Sequence, residues 1–268
     1  MICRGTGMYQ HHKESLEILV DTFKKKEEVI AIVFGGSVAK GMERPDSDLD
    51  AMIIITPEAY KKREESRTLS ETIHGLCTYE AGYFDIKYMT KQYLKTAAQR
   101  GSEPTRNSFM CAQVLFTKDL EIEEIVNQIP VFQKHEKKEK QLSFYSSLML
   151  NYHYFWKSCK PEGYMKIHVM SEIIYMIYRM ILQENEALFS SNRRLEELVE
   201  QMPNKPKGII ELGKKFADSG EDKDCEAFVL AFLEWSPYQQ EDWSLILTRY
   251  QEDYETWWAK PRPLVNEW

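Results

Sequence analysis

The stretch "FGGSVAKGMERPDSDLDAMIII", residues 34–55, decides the fold. Two glycines and a serine follow the apolar run "EEVIAIVF" (27–34), whose β-branched residues read as a strand. After Ser37 and ten intervening residues, Asp48 and Asp50 open a second apolar run, "DLDAMIIIT" (48–56), which Pro57 stops. Side chains alternate faces along a strand, so Asp48 and Asp50 share one face, with α-carbons roughly 6.5–7 Å apart, while Leu49 turns to the core. Two carboxylates held together repel, and burial makes each costly unless a cation is present. Mg²⁺ takes oxygen ligands, commonly one or two carboxylates together with substrate phosphates.

Reading outward, "YEAGYFDIKYMT" (79–90) alternates aromatic and polar residues as a third strand and brings Asp85. If it pairs beside 48–56, Asp85 reaches the same spot, because neighbouring strands lie about 4.8 Å apart. Three carboxylates can hold two ions ~3.5–4 Å apart, the arrangement suited to in-line phosphoryl displacement. Gly35-Gly36-Ser37 makes a tight turn where backbone approaches a phosphate closely. A helix opening at Ser37 would turn its free N–H groups toward an anion, and Lys40 lies one turn on. "PEAYKKREESRTLSETIHGL" (57–76) has helical composition with proline at its start. "TKQYLKTAAQRG" predicts a helix with Thr90 as N-cap and Gly101 as stop. "QVLFT" (113–117) reads as a short strand and "DLEIEEIVNQI" as a helix with Asp119 near its start.

After Pro130 no strand pattern appears. Long helical stretches at 134–160 and 164–189 precede shorter ones near 193–202, 206–218, 222–235 and 239–259. The sequence therefore predicts an α+β protein: a domain at 1–130 with a small mixed sheet flanked by helices, then an all-α helical bundle at 131–268.

The acid pattern, the Gly-Gly-Ser turn and the later strand aspartate together resemble the nucleotidyltransferase superfamily of the DNA polymerase beta type, over residues 28–90. The resemblance implies that Asp48 and Asp50 bind Mg²⁺, that Asp85 assists a metal or activates the acceptor, and that Gly36 and Ser37 contact the triphosphate. Gly35 and Lys40 join that nucleotide-binding set. A small domain followed by a helical one further resembles the aminoglycoside-type adenylyltransferases, in which the helical domain forms the acceptor side of the cleft. "LFSSNRRL" (188–195) after a long helix looks like that subgroup too. The implied activity is transfer of a nucleoside monophosphate, AMP from ATP by family precedent, to a hydroxyl of a small molecule such as an aminoglycoside-type antibiotic, giving resistance. The implied cofactors are Mg²⁺, two ions, with ATP as donor. The rival readings are a protein-AMPylating, antitoxin-like transferase and a non-catalytic nucleotide-binding regulator. Asp85, Glu172 and Glu80 are the candidate general bases.

Composition narrows the partners. A formal charge of −7 and no basic aromatic patch argue against a nucleic-acid binder. No apolar run reaches the ~20 residues of a membrane span, and the first residues lack a secretory signal's apolar centre. Cysteines at 3, 77, 111, 159 and 225 form no CxxC pair, which predicts reduced thiols in a cytoplasm. His74, His135, His153 and His168 show no paired spacing with Cys or Glu that suggests zinc, and His11 and His12 read as terminal and without a role. "KKKEE" (24–28) and "KHEKKEKQ" (134–141) read as solvated helix faces, and Glu172 with Arg179 as a surface or salt-bridge pair two turns apart. "NRR" (192–194) suits either a helix cap or cations toward phosphate. Both a monomer and a homodimer are compatible with the sequence.

Overall fold

The computed structural model describes residues 8–259. The chain divides between residues 131 and 132 into two compact units.

The first unit is built on five strands: β1 (Val29–Phe34), β2 (Leu49–Ile55), β3 (Ser70–His74), β4 (Tyr83–Met89) and β5 (Gln113–Thr117), in the order β3-β4-β2-β1-β5. β2 and β4 run parallel, and the other neighbours antiparallel, so the sheet is mixed. β1 and β2 are apolar on both faces because both faces are covered. On one side Ile32, Phe34, Leu49, Ala51, Ile53, Phe84 and Ile86 pack with Leu16, Leu19 and Phe23 of α1 (Gln10–Phe23). On the other, Ala31, Val33, Met52, Ile54 and Met89 meet α4 (Lys91–Arg100) and α6 (Glu121–Gln128) through Leu94, Ala97, Ile122, Ile125 and Val126. Between these helices in chain order lie the short α2 (Gly36–Ala39), α3 (Pro57–Glu65) and α5 (Glu103–Ser108). The Thr90 hydroxyl accepts from the Tyr93 N–H and caps α4, and Gly101 ends it.

Three local expectations are corrected. The helix from Pro57 stops at Glu65 instead of reaching residue 76, because Arg67 takes a left-handed backbone (φ 57°) that a right-handed helix excludes. "SETIH" then forms the edge strand β3, with its β-branched Thr72 and Ile73. Residues 24–28 form the turn after α1, not a helix face. The sequence reading also missed α1 and α5. Arg106 of α5 is buried and donates to the carbonyls of Ala98, Gly101, Ile129 and Val131, which fixes α5 in place.

The second unit is helical throughout its described residues: α7 (Lys137–Met149), a π-helical continuation (Leu150–Ser158), α8 (Gly163–Glu184), α9 (Leu195–Glu200), α10 (Ile209–Ser219), α11 (Asp222–Trp235) and α12 (Trp243–Tyr254). Phe144, Leu148, Ile173, Ile177, Phe216, Phe228 and Phe232 form its core. Lys140 lies buried, 3.2 Å from Glu136, so "KHEKKEKQ" is not wholly a solvated face. Arg179 is buried as well, not a surface residue. Its guanidinium stacks over Phe144 and Phe189 and donates to the Tyr175 hydroxyl. In "NRR", a 3₁₀ turn, Arg194 pairs with Glu197 at 3.1 Å. No helix among the described residues is long and apolar enough to cross a membrane. Cys77, Cys159 and Cys225 are free thiols. Cys3 lies outside the described residues.

Candidate active site

The parallel pairing of β2 and β4 sets Asp50 opposite Asp85 in register, with Leu49 opposite Phe84 on the buried face. Asp48, one residue before β2, completes the group. One carboxylate oxygen from each of Asp48, Asp50 and Asp85 lies within 4.8 Å of the others. All three are partly buried.

The glycine turn sits against this group. The Gly35 N–H donates to the Asp50 carbonyl at 3.0 Å, extending the β1–β2 ladder by one rung. Gly36 has φ +74°, and a Cβ there would stand 1.8 Å from Asp50 Oδ2. Both the backbone conformation and the closeness of the carboxylate therefore require glycine. Ser37 lies in α2, and its carbonyl accepts from the N–H groups of Lys40 and Met42. Lys40 ends that turn with its Nζ on Asn107 Oδ1 of α5 at 2.8 Å.

Burial, and after it the neighbouring Asp48 charge, push the Asp50 carboxyl above its ordinary range; Lys87 pulls the other way, Asp85 adds to the rise and Lys40 opposes it. The Tyr83 hydroxyl is raised as well, first by the Asp48 charge. Three crowded carboxylates with one disfavoured as an anion form a donor set that a cation relieves. Three hard oxygens suit Mg²⁺ in preference to a softer metal. On that chemistry the residues fit the ion the sequence pattern implies.

Residues outside the sequence reading hold the group in place. The Thr72 hydroxyl of β3 donates to Asp85 Oδ1 at 2.9 Å. The Tyr79 hydroxyl donates to the Ser47 carbonyl at 2.6 Å, just before Asp48. Ser47 is buried, and its Oγ accepts from the Arg44 N–H at 2.8 Å. His11 Nε2 lies 3.0 Å from the Pro45 carbonyl, and the rings of His11, His12 and Tyr79 pack at centroid separations of 4.4–5.0 Å. The two histidines set aside as terminal therefore brace the loop that delivers Asp48. The alternation in "SETIH" was the available signal for Thr72; no local pattern signals the histidines. Glu80 is exposed in the loop before β4, away from any strand position, and Glu172 lies on α8 of the second unit.

Beside Asp50 and Asp85 opens a cavity of about 250 Å³. Met52 and Met89 of the sheet, Lys87, Tyr93 of α4 and Thr105 of α5 contribute to its wall.

Residues 16–99 match the nucleotidyltransferase domain family, a span containing the turn and all three aspartates. Residues 16–99 therefore carry a nucleotidyltransferase domain, and by that domain the chain is a transferase. No curated protein matches the sequence. Among solved structures, a nucleotidyltransferase-like protein from Exiguobacterium sibiricum aligns over 94% of this chain and 81% of its own, at 10% identity and TM-score 0.45. A spectinomycin adenyltransferase, AAD(9), from Enterococcus faecialis, solved with ATP and spectinomycin, aligns over 88% of this chain and 96% of its own, at 14% identity and TM-score 0.32. At those scores neither alignment bears on what this chain modifies.

Proposed function

We propose that the chain transfers a nucleoside monophosphate, AMP from ATP first among candidates, to a hydroxyl of a small molecule. The observation that carries this reading is the convergence of Asp48, Asp50 and Asp85 within 4.8 Å beside the Gly35-Gly36-Ser37 turn. Asp48 and Asp50 would hold Mg²⁺, and Asp85 a second ion or the acceptor's proton. Bound there, Mg²⁺ supplies neutralisation of the charge that develops on the phosphoryl oxygens.

The chain's own residues supply the rest. Gly36 and Ser37 leave backbone room for the triphosphate beside Asp50. Asp85 is fixed through one oxygen by Thr72, so its other oxygen is free to take the proton of the attacking hydroxyl. The acceptor oxygen bonds to the α-phosphorus, the bond to the β-phosphate oxygen breaks, and pyrophosphate leaves with that electron pair. Positioning and charge carry the rate, since no covalent enzyme intermediate is needed. The helical unit would bind the acceptor, as the resemblance to the aminoglycoside-type enzymes implies. An aminoglycoside-type antibiotic is the first acceptor to try, on the two-part layout of sheet domain and helical domain.

The test is incubation of purified protein with α-³²P-ATP, Mg²⁺ and a panel of aminohydroxyl antibiotics or a cell lysate, followed by separation into small-molecule, protein and RNA fractions. Label in a small molecule, abolished by Asp48→Asn, supports the reading. Asp48-dependent label in protein or RNA instead would replace the acceptor class, and ATP binding without label or pyrophosphate release would contradict transfer.

A further inference from the structure

Lys87 stands two residues beyond Asp85 on β4, so its side chain leaves the same face of the sheet. In register it lies opposite Met52, one step along that face from the Asp50–Asp85 pair. It is exposed, and among the described residues it makes no hydrogen bond or ion pair. Its charge is nevertheless felt at Asp50, where among the cations it has the larger influence, ahead of Lys40. It also lines the cavity of about 250 Å³ beside Asp50 and Asp85.

Lys40, the lysine that the sequence pattern singles out, is differently placed. Its Nζ is engaged with Asn107, and redirecting it would break a 2.8 Å hydrogen bond in a half-buried setting. Lys87 has no such bond to give up. An ammonium on a flexible four-carbon stem suits it to meet anionic oxygens whose positions change during a reaction.

We propose that Lys87 contacts the phosphoryl oxygens of the bound nucleotide from this cavity, acting as the chain's mobile cation at the reaction centre. This inference rests on the nucleotidyl-transfer reading. The lysine holds phosphoryl oxygens by charge and hydrogen bonding, while Asp48, Asp50 and Asp85 face the ions and the acceptor.

The experiment measures binding of the non-hydrolysable α,β-methylene-ATP with Mg²⁺ by calorimetry, for the full chain and for Lys87→Met and Lys87→Arg. Melting temperatures confirm that each variant is folded, which an exposed position favours. Lys87→Met should weaken binding about tenfold, the loss of one charge-assisted hydrogen bond. Lys87→Arg, which keeps the charge, should remain within about threefold of the parent. Nucleotide affinity should also fall less steeply with added salt in Lys87→Met than in the parent. Parent-like affinity and salt dependence in folded Lys87→Met would overturn the inference, as would a loss confined to acceptor affinity. A parent protein that binds no nucleotide would instead sink the transfer reading itself, so the two failures are distinguishable.

Discussion

The two faces of β2 and β4 carry opposite chemistry on alternate residues. One bears Leu49, Ala51, Ile53, Phe84 and Ile86, sealed beneath α1. The other bears Asp50, Asp85 and Lys87, and becomes apolar only further along, where Met52, Ile54 and Met89 lie under α4 and α6. The acid group therefore sits where the helical cover of that face stops. A single residue step separates a side chain that holds the fold from one that holds charge. The sealed face stabilises by removing apolar surface from water. The open face does the reverse at Asp50, whose ionised form is disfavoured by burial and by Asp48.

That contrast breaks most readily at Asp50. Asp50→Asn should lower nucleotide transfer about 10²–10³-fold, by removing charge aimed at the reaction centre, while the melting temperature stays level or rises as a like-charge neighbour is lost. Unfolding of this variant would show that the open face is structural. Phe84→Ala should do the opposite. Its ring is fully buried, and truncation should cost about 3–5 kcal/mol in urea unfolding. A near-neutral result would mean that the α1 face is not the stabilising one. Gly36→Ala joins the two kinds of effect, since its methyl group meets Asp50 Oδ2. Misplacement of that carboxylate should cost about 10²-fold in transfer rate. Thr72→Val leaves Asp85 without its donor and should weaken Mn²⁺ binding about tenfold; Thr72→Ser should recover most of it, and equal loss in both would point to packing instead.

The smallest effect is one of pH. His12 is fully buried, and burial, followed by the His11 charge, lowers it below its ordinary 6.5. The unfolded chain then binds the proton more readily than the folded one, so the stability His12 contributes is present above pH 6.5 and lost as pH falls through that value. Asp50 has the opposite sign. Raised in the folded state, it costs stability at neutral pH, and that cost is relieved as pH falls through its raised value toward 3.8. With the opposing group removed, in the Asp50→Asn background, melting temperature should decline by a few degrees between pH 7 and 5.5, and adding His12→Phe should flatten that decline. An unchanged slope would show that His12 does not report on this range.

Much of the acid-bearing face was legible because period two is a strong signal. Asp48-Leu49-Asp50 and Asp85 among apolar neighbours place themselves on one face once both segments are strands. What the sequence does not encode locally is which strands become neighbours. The parallel β2–β4 pairing brings Asp85 to Asp50, with β3 at the edge outside β4. β3 itself was hidden within a charged stretch of helical composition, and Thr72 with it. Lys87 went unremarked because a lysine on a strand is ordinary until its register beside Asp85 is known. The histidines of α1 acquire a role only through contact with residues 45 and 79. Such contacts span thirty or more positions, and no local periodicity reports them.

The most direct test of the acid group is a calorimetric titration of Mn²⁺ into the full chain, with and without α,β-methylene-ATP, beside Asp50→Asn. The account predicts saturable metal binding that tightens when nucleotide is present and is lost in the folded Asp50→Asn variant. Metal binding that survives Asp50→Asn unchanged, or no nucleotide-coupled binding in the parent chain, would contradict it.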